Sequence, residues 1–455
     1  MKHYDVIVVG SGSGMLIVDE ALSHGLSVAL VDRGPLGGTC LNVGCIPSKM
    51  LIYPADRIVE TQQAAKLGIT AEISSIDFKA IVERTKNSIA ESQKHMREGI
   101  SQTDGLDFYK GEGHFVGDYT LEVDGNEIEA DTVFLASGSR PLIPPMKGLD
   151  AASYITNENV LDLESAPGSL VVIGGGYIGV EYGHFFAAMG SRVVILEMAD
   201  RLVLAEEPEV SHVLQEELGK RVEIRTNAAV EEVRTSASGV EVVVRDVKSG
   251  ETEGLAGEKL MVAVGRRSNA DLLTVENTGV EVDTRGFVKV DEYLETSKKG
   301  IFGVGDANGR HMFTHVANRE ALVAAHNAFH DRDLKMDYSA IPHAVYSYPQ
   351  IASVGLTEEQ ARENHSVLVG KARYSDVAKG EAMMEESGFA KAIVDSDGKT
   401  ILGFHIVGPF APILIQEVVN AMASGGHMDC IRAGLHIHPA LSELIQSALA
   451  GLEEV

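Results

Sequence analysis

The chain has 455 residues, which corresponds to about three domains at roughly 150 residues each. Of these residues 44% are hydrophobic, which is enough to build packed cores. Its net charge of −27 argues against a nucleic-acid-binding protein, because phosphate contacts need clustered Lys and Arg. No apolar run reaches the roughly 18 to 20 residues of a membrane span, and Asp5 with an early glycine turn argues against a signal peptide. We therefore expect a globular cytoplasmic protein with neither nucleic acid nor membrane as a partner.

The first predicted elements form a strand, a glycine turn, a helix and a second strand, in the segment "YDVIVVGSGSGMLIVDEALSHGLSVALVDR". Gly10, Gly12 and Gly14 make the turn, and Asp32 ends the second strand. In such a unit the glycines let the backbone approach a pyrophosphate at the helix N-terminus, and the acid accepts the ribose hydroxyls. Met15 stands where a third glycine or alanine usually permits close packing of the helix against the strand, so we expect this helix to be slightly displaced from its usual position. A purely structural glycine turn is the alternative.

A cysteine pair follows in "GGTCLNVGCIPSKM", residues 37–50. Cys40 and Cys45 lie five residues apart in a chain with three cysteines, and Pro47 would start a helix without wasting an N–H group. Where thiols are kept reduced, a close pair is more often redox-active or metal-binding than a structural link. A metal site is one alternative, and it would need about four ligands. The other alternative is that the two cysteines are simply small hydrophobic residues buried in the core.

A second strand-turn-helix-strand unit lies in "SLVVIGGGYIGVEYGHFFAAMGSRVVILEMADRL". Gly174, Gly176 and Gly179 have the strict spacing, and Glu197 closes the second strand. A carboxylate there pairs with the free 2′-hydroxyl of NAD and repels the 2′-phosphate of NADP, although Arg201 keeps NADP possible. Two such units in one chain predict two bound dinucleotides.

Histidine pairs and one aspartate are further candidates. Asp306 ends the short strand of "IFGVGD", where an aspartate is more often a turn residue than a ligand. His436 and His438 alternate, as on one face of a strand, and a metal site is an alternative for such a pair. A metal pair is also the alternative for His311 and His315, which are spaced i, i+4.

Taken together, the chain resembles the FAD-dependent pyridine nucleotide–disulfide oxidoreductases, a family that includes dihydrolipoyl dehydrogenase, mycothione reductase and glutathione reductase. The resemblance covers essentially the whole chain. Beyond the two glycine units it rests on "GGTCLNVGCIPSK", "ASGSRP", "VGRRSN", "IFGVGD", "YPQIASVGLTEEQA" and "HIHPALSE".

The resemblance implies an α/β fold with two Rossmann-like dinucleotide-binding domains and a C-terminal α/β dimerisation domain. We expect an FAD domain over 1–145 and 266–338, an NAD(P) domain over 146–265, and an interface domain over 339–455. The first glycine unit would bind FAD and the second NAD. A homodimer is implied, because in this family the catalytic histidine reaches the cysteines of the other subunit.

The resemblance also assigns roles to the site residues. Cys45 would face the flavin and Cys40 would be the interchange thiol that meets the substrate. Lys49 would reach the flavin and pair with Glu181. His438 would be the acid–base for the interchange thiol, with its ring oriented by Glu443. Further cofactor contacts would come from Thr39, Ser137, Gly138, Tyr177, Gly265, Asp306 and His315.

For the substrate, the sequence indicates a lipoyl-bearing protein or a small-molecule disulfide. Glu197 favours NAD and thus dihydrolipoyl dehydrogenase, which we place first. Met15 and Ala440 favour a reductase of low-molecular-weight thiol disulfides, of the mycothione, bis-γ-glutamylcystine or glutathione type. Cys430 has no neighbouring cysteine in sequence, and we expect it to be buried and inert.

Overall fold

A computed structural model of the chain describes residues 1–236 and 239–454. The strands across these residues are β1 Lys2–Val9, β2 Val28–Asp32, β3 Leu106–Lys110, β4 Gly113–Phe115, β5 Thr120–Val123, β6 Asn126–Leu135, β7 Ser139–Pro141, β8 Tyr154–Ile155, β9 Ser169–Ile173, β10 Arg192–Leu196, β11 Glu223–Arg225, β12 Ala228–Ser236, β13 Gly239–Asp246, β14 Thr252–Gly257, β15 Lys259–Val262, β16 Arg266–Ser268, β17 Ile301–Gly303, β18 Pro342–Val345, β19 Ile351–Gly355, β20 Val367–Arg373, β21 Phe389–Asp395, β22 Ile401–Val407 and β23 Glu453–Glu454. The helices are α1 Gly14–Ser23, α2 Gly38–Val43, α3 Cys45–Gln63, α4 Phe78–Ser101, α5 Tyr177–Ala188, α6 Pro208–Leu218, α7 Thr314–Phe329, α8 Glu358–Arg362, α9 Ala378–Ala382, α10 Ala411–Ala423, α11 Asp429–Arg432 and α12 Glu443–Ala450.

The chain divides into two compact units. Unit 1 contains Met1–Ser48, Val82–Leu142 and Gly265–Asp337, and unit 2 contains Lys49–Ile81, Ile143–Val264 and Tyr338–Val455. The predicted three-domain boundaries stay a prediction. None of the helices in the described ranges has both the length and the apolar character that a bilayer span requires.

Unit 1 is built on a seven-stranded sheet in the order β3-β2-β1-β6-β5-β4, with β17 also paired to β6. The pairs β1–β2, β1–β6, β2–β3 and β6–β17 are parallel. The apolar run of β1 is buried along its length from Val6, as expected for a parallel strand covered on both faces. Strand order reverses beside β1, and such a switch point is where open α/β sheets bind ligands.

Unit 2 contains a parallel five-stranded sheet, β11-β10-β9-β15-β8, an antiparallel three-stranded sheet, β12-β13-β14, and an antiparallel six-stranded sheet, β18-β19-β22-β21-β20-β23. The first sheet reverses its strand order beside β9, whose carboxyl end carries the second glycine turn. The six-stranded sheet packs its apolar face against α10 and α12 around Phe404 and Ile415. Together with the sheet of unit 1, this arrangement confirms the predicted fold class.

Candidate active site

The first glycine turn follows β1 directly and has a backbone that only glycine suits at Gly10. Its φ is +109°, and a Cβ atom there would lie 2.2 Å from the carbonyl oxygen of Ala136. The N–H of Gly10 donates to the carbonyl of Val31 at 2.8 Å. The turn thus holds its backbone against the neighbouring strands, as required for a close approach to a pyrophosphate.

The second glycine turn repeats this geometry after β9. Gly174 has a φ of +108°, its N–H donates to the Leu196 carbonyl at 2.8 Å, and an added Cβ would lie 2.4 Å from the Ala263 oxygen. A Cβ on Gly176 would meet no described atom within 4 Å, so this glycine keeps the space in front of the turn open. Both turns therefore fit a dinucleotide.

The two strand-turn-helix segments differ in where the helix begins. Helix α5 begins at Tyr177, three residues after Gly174, whereas α1 begins at Gly14, four residues after Gly10. Gly14 is the residue that packs close to strand β1, because a Cβ atom added to it would lie 2.9 Å from Cγ1 of Val8. Met15 is half-buried, and the expectation that it displaces this helix stays a prediction.

An acid stands beside each glycine turn in the same way. Asp32 accepts the N–H and the hydroxyl of Ser11 on Oδ2, at 2.7 and 2.6 Å, and the N–H of Gly34 on Oδ1. Glu197 accepts the N–H of Gly175 at 2.7 Å and that of Ala199 at 2.8 Å, one on each carboxylate oxygen. These bonds fix each carboxylate and leave lone pairs for ribose hydroxyls.

The cysteine segment packs against the first glycine turn within unit 1. Gly37 donates its N–H to the hydroxyl of Ser11 at 3.0 Å, and a Cβ on Gly38 would lie 2.8 Å from the Cα of Gly12. A Cβ on Gly138 would lie 4.0 Å from Oγ1 of Thr39. The structure thus brings predicted FAD contacts from residues 10–14, 37–45 and 136–139 to one place.

Asp306 is held beside that place. Its Oδ2 accepts the hydroxyl of Ser139 at 2.5 Å and lies 3.6 Å from Nε of Arg266. Close by in sequence, the Ser137 hydroxyl oxygen is buried and makes no hydrogen bond to any described residue. Gly265 has a φ of +128°, with no described atom near an added Cβ. A buried hydroxyl with its bonding capacity unused fits a polar cofactor there.

Cys40 and Cys45 are thiols in this structure, on two consecutive helices. Cys40 lies in α2 and is half-buried, whereas Cys45 begins α3 and is exposed. Sγ of Cys45 lies 3.4 Å from Oγ1 of Thr314, the first residue of α7. The hydrogen bond with Cys45, and then burial, raise the pKa of Cys40. Both effects favour the protonated form of the Cys40 thiol.

Two basic residues, Lys49 and His315, are predicted flavin contacts. Nζ of Lys49 lies 3.0 and 2.8 Å from the two carboxylate oxygens of Glu181, which also accepts the N–H of Tyr346 at 3.0 Å. Lys49 also stands over the Tyr346 ring, 4.5 Å from its centroid. The pairing of Lys49 with Glu181 is as expected, and Tyr346 was missed. His315, at the start of α7, is exposed and stacks on Phe313 at 5.5 Å.

The C-terminal histidines have separate carboxylate partners in unit 2. Nδ1 of His438 lies 2.9 Å from Oε1 of Glu443, and Nε2 of His436 lies 3.0 Å from Oε1 of Glu417. The side chain of His436 is buried, while that of His438 is 71% exposed. The two histidines lie in an irregular segment, and each contacts a different carboxylate.

Other findings concern Tyr177 and Cys430. The Tyr177 hydroxyl donates to Oε1 of the buried Glu206 at 3.1 Å, and a separation of 29 residues along the chain hid this partner from sequence reasoning. Cys430 is exposed, which corrects the expectation that it is buried. It lies in the four-residue helix α11, where the buried position goes to Ile431. The cysteine pair belongs to unit 1, and Lys49, Glu181, Tyr177 and His438 belong to unit 2.

Comparisons with known proteins agree with this geometry. The family described as pyridine nucleotide-disulphide oxidoreductase matches residues 4–321, and the dimerisation domain of the same family matches residues 341–449. Mycothione reductase from Mycobacterium tuberculosis is 36% identical, with 99% of this chain and 100% of the relative covered. Dihydrolipoyl dehydrogenase from Geobacillus stearothermophilus is 35% identical, covering 98% and 95% respectively.

Among solved structures, the Cu(II) complex of the HOCl-induced flavoprotein disulfide reductase RclA from Escherichia coli is similar over 99% of both chains. Its TM-score is 0.88 and its sequence identity to this chain is 27%.

Proposed function

Since the chain belongs to the pyridine nucleotide–disulphide oxidoreductase family, whose members use FAD and NAD(P), we propose that it transfers two electrons between a dihydrolipoyl group and NAD. Cys40 and Cys45 would carry these electrons as a redox pair. The observation that supports the choice of nicotinamide, and through it the choice of substrate, is the environment of Glu197. The dimerisation-domain match supports a homodimer.

Glu197 places a fixed negative charge beside the second glycine turn. Its two oxygens each accept a backbone N–H, so the carboxylate cannot turn away from a 2′-phosphate without losing two hydrogen bonds. The neighbouring cation is engaged elsewhere: Nη2 of Arg201 donates to the Leu204 carbonyl at 3.1 Å, and Nη1 lies 3.6 Å from Asp200. This arrangement favours NAD over NADP.

The proposed thiol chemistry uses the cysteine pair as a disulfide and His438 as a base. His438 accepts a proton from one substrate thiol, and the resulting thiolate attacks Cys40, so that the Cys40–Cys45 bond breaks and Cys45 leaves as a thiolate. The second substrate sulfur then attacks the substrate sulfur bound to Cys40, forms the lipoyl disulfide and passes its proton to Cys40. FAD, when bound, would carry the two electrons onward to the nicotinamide.

The raised pKa of Cys40 supports this outcome. The hydrogen bond between the thiols, followed by burial, favours the protonated form of Cys40, which is the thiol on which the proposed reaction leaves a proton. The proposed reaction releases Cys45 as a thiolate, which is the reactive form of a cysteine.

A reductase of a low-molecular-weight thiol disulfide is the second candidate. Ala440, which follows His438 and Pro439, favours it, as does the 36% sequence identity to mycothione reductase. The same residues would run the reaction in reverse. Cys40 gives its proton to His438 and attacks the substrate disulfide, and His438 passes that proton to the first substrate sulfur as it leaves. The Cys45 thiolate then attacks the Cys40 sulfur, so that the Cys40–Cys45 bond forms and the second substrate sulfur leaves as a thiolate.

One assay separates the candidates. Dihydrolipoamide is offered with NAD or NADP, and lipoamide, glutathione disulfide, mycothione and bis-γ-glutamylcystine are offered with NADH or NADPH. We expect the highest kcat/KM for dihydrolipoamide with NAD. A clearly higher kcat/KM for one of the other disulfides would select the second candidate, and a preference for NADPH would contradict the role of Glu197.

A further inference from the structure

Helices α1 and α7 bring imidazole and carboxylate groups together at their carboxyl ends, within unit 1. Nε2 of His24 lies 3.3 Å from Oε1 of Glu20, and Nε2 of His330 lies 4.0 Å from the same oxygen. One ligand atom from each of these three residues lies within 4.8 Å of the other two. Within residues 1–236 and 239–454, no other three His, Cys, Asp or Glu residues meet this condition.

The placement follows from two i, i+4 spacings at the ends of these helices. Glu20 in α1 is followed four residues later by His24, and His326 in α7 is followed four residues later by His330. His24 and His330 are the C-caps of their helices. The hydroxyl of Ser13 donates to Asn318 at 2.7 Å and joins α1 to α7 near their other ends.

We propose that Glu20, His24 and His330 form a binding site for a divalent transition-metal ion, with Zn²⁺ as the representative ion. Two imidazoles and a carboxylate are a ligand set that suits Zn²⁺, Cu²⁺ and Ni²⁺ and that does not suit Mg²⁺ or Ca²⁺. Ligand bonds of about 2.1 Å in a tetrahedron separate ligand atoms by about 3.4 Å. The side chains of His24, Glu20 and His330 are 33–44% exposed, so rotation can close the remaining gap.

The surroundings favour a cation. Both helices end here, and a helix carboxyl end carries partial negative charge. Glu20 adds a full negative charge, and Asp333 holds Nε2 of the adjacent His326 at 2.9 Å. The rings of His24 and His330 already meet edge to face, with centroids 4.8 Å apart, while the ring of His326 lies 5.1 Å from that of His330. His326 offers a further imidazole for a fourth ligand.

Such a metal would join the ends of two helices whose beginnings serve the redox site. Helix α1 begins in the first glycine turn, and α7 begins at Thr314, which contacts Cys45. The metal itself would touch no reacting group. Its expected effect is therefore a higher melting temperature, because a ligand that binds only the folded state stabilises it.

The test titrates Zn²⁺ into the FAD-loaded enzyme with Cys40 and Cys45 oxidised to the disulfide and with Cys430→Ser, so that thiols do not bind the probe. Calorimetry compares the unsubstituted site with His24→Gln/His330→Gln. The matched control is His365→Gln, which removes an exposed histidine held by Asp395 at 2.9 Å. We expect the double variant to bind Zn²⁺ at least tenfold more weakly and to lose the Zn²⁺-dependent rise in melting temperature, with both retained in the control.

Two further measurements keep the proposal open to refutation. Glu20→Gln, a milder change, should weaken Zn²⁺ binding at least threefold even if the double variant loses its FAD absorbance. Mg²⁺ should bind at least tenfold more weakly than Zn²⁺ to the unsubstituted site, because two imidazoles and a carboxylate do not suit Mg²⁺. Equal Zn²⁺ affinity in all variants, or an equal loss in the His365→Gln control, would overturn the proposal.

Discussion

Glu443 holds His438 and the turn that carries it with one carboxylate: Oε1 lies 2.9 Å from Nδ1 of His438, and Oε2 accepts the Ala440 N–H at 3.0 Å. The Ala440 N–H, and then His438, lower the pKa of Glu443. The carboxylate is therefore charged at neutral pH and can only accept. Its partner Nδ1 must donate, which leaves Nε2 of His438 as the basic nitrogen.

Replacing His438 with Gln should slow thiol–disulfide interchange about 10²- to 10⁴-fold, the usual contribution of a general acid–base. Flavin reduction by NADH should survive, and stopped-flow absorbance measures both steps in one preparation. Glu443→Gln should show a smaller loss confined to the same step, because an amide can present an N–H to Nδ1 and reverse the tautomer. Equal slowing of both steps would indicate a structural defect instead.

The lowered pKa of Glu443 also gives the sign of a pH effect. The carboxylate's bonds to His438 and Ala440 are fully present above its ordinary value near 4.5 and are lost as the pH falls through the lower folded-state pKa. Between pH 5 and 9 Glu443 should therefore add no titration to the interchange rate. An acidic limb in that range that persists in His438→Gln and vanishes in Glu443→Gln would contradict this expectation.

Glu197→Gln should narrow the preference for NADH over NADPH by about ten- to a hundredfold in kcat/KM, since it removes one charge that faces the 2′-phosphate. Glu258→Gln is the matched control, because Glu258 also accepts a backbone N–H, from Gly168 at 2.7 Å, away from the glycine turn. An unchanged ratio in Glu197→Gln would assign cofactor choice to other residues, with Arg201 the first to examine.

Alkylation tests the assignment of the two sulfurs. The flavin is proposed to cover Cys45, and we expect this restricted access to outweigh the greater reactivity of the Cys45 thiolate. Brief iodoacetamide treatment of the two-electron-reduced holoenzyme should therefore label Cys40 before Cys45, as read by peptide mass spectrometry. The structure makes this test sharp, because in the protein chain itself Cys45 is exposed and Cys40 is half-buried. The exposed Cys430 serves as an internal reference for labelling. First labelling of Cys45 would reverse the assignment.

The buried ammonium of Lys391 in unit 2 is a test of stability. Its Nζ lies 3.0 Å from the buried Glu207 and 2.7 Å from Glu358. Burial alone would lower the pKa of Lys391, but the hydrogen bonds to Glu358 and Glu207 outweigh burial and raise it. This stabilisation is present below the ordinary lysine value near 10.5 and is lost only as the pH rises through the higher folded-state pKa.

Lys391→Met should cost about 3 to 5 kcal/mol in the free energy of unfolding at pH 7, because it leaves Glu207 buried without its cation. Lys371→Met is the matched control. Lys371 likewise pairs with a glutamate, Glu209, but its side chain is 40% exposed, so this substitution should cost less than about 1 kcal/mol. Urea unfolding measures both, and similar losses would show that burial of the pair does not matter.

Sequence reasoning succeeded where one residue type is required by local geometry. Gly10 and Gly174 need a positive φ and a close approach to a neighbouring carbonyl, and the acid that follows each second strand completes a recognisable pattern. It could not find contacts between distant segments, such as Thr314 beside Cys45 or the approach of His330 to Glu20. Those contacts depend on how helices pack, and neither periodicity nor spacing records that packing. Cys430 was misjudged because a four-residue helix has no amphipathic pattern to read.

The last prediction concerns a site shared by two subunits. If His438 of one subunit serves the cysteines of the other, Cys45→Ala and His438→Ala homodimers are both inactive, but a mixed dimer keeps one complete site. Random assembly makes about half of the dimers mixed, each with one good site of two, so co-expression should restore roughly a quarter of wild-type activity. Native mass spectrometry counts the mixed dimers, and mixing the two purified homodimers without subunit exchange is the control. Mixed dimers that form and remain inactive would show that His438 acts within its own subunit or is not the base.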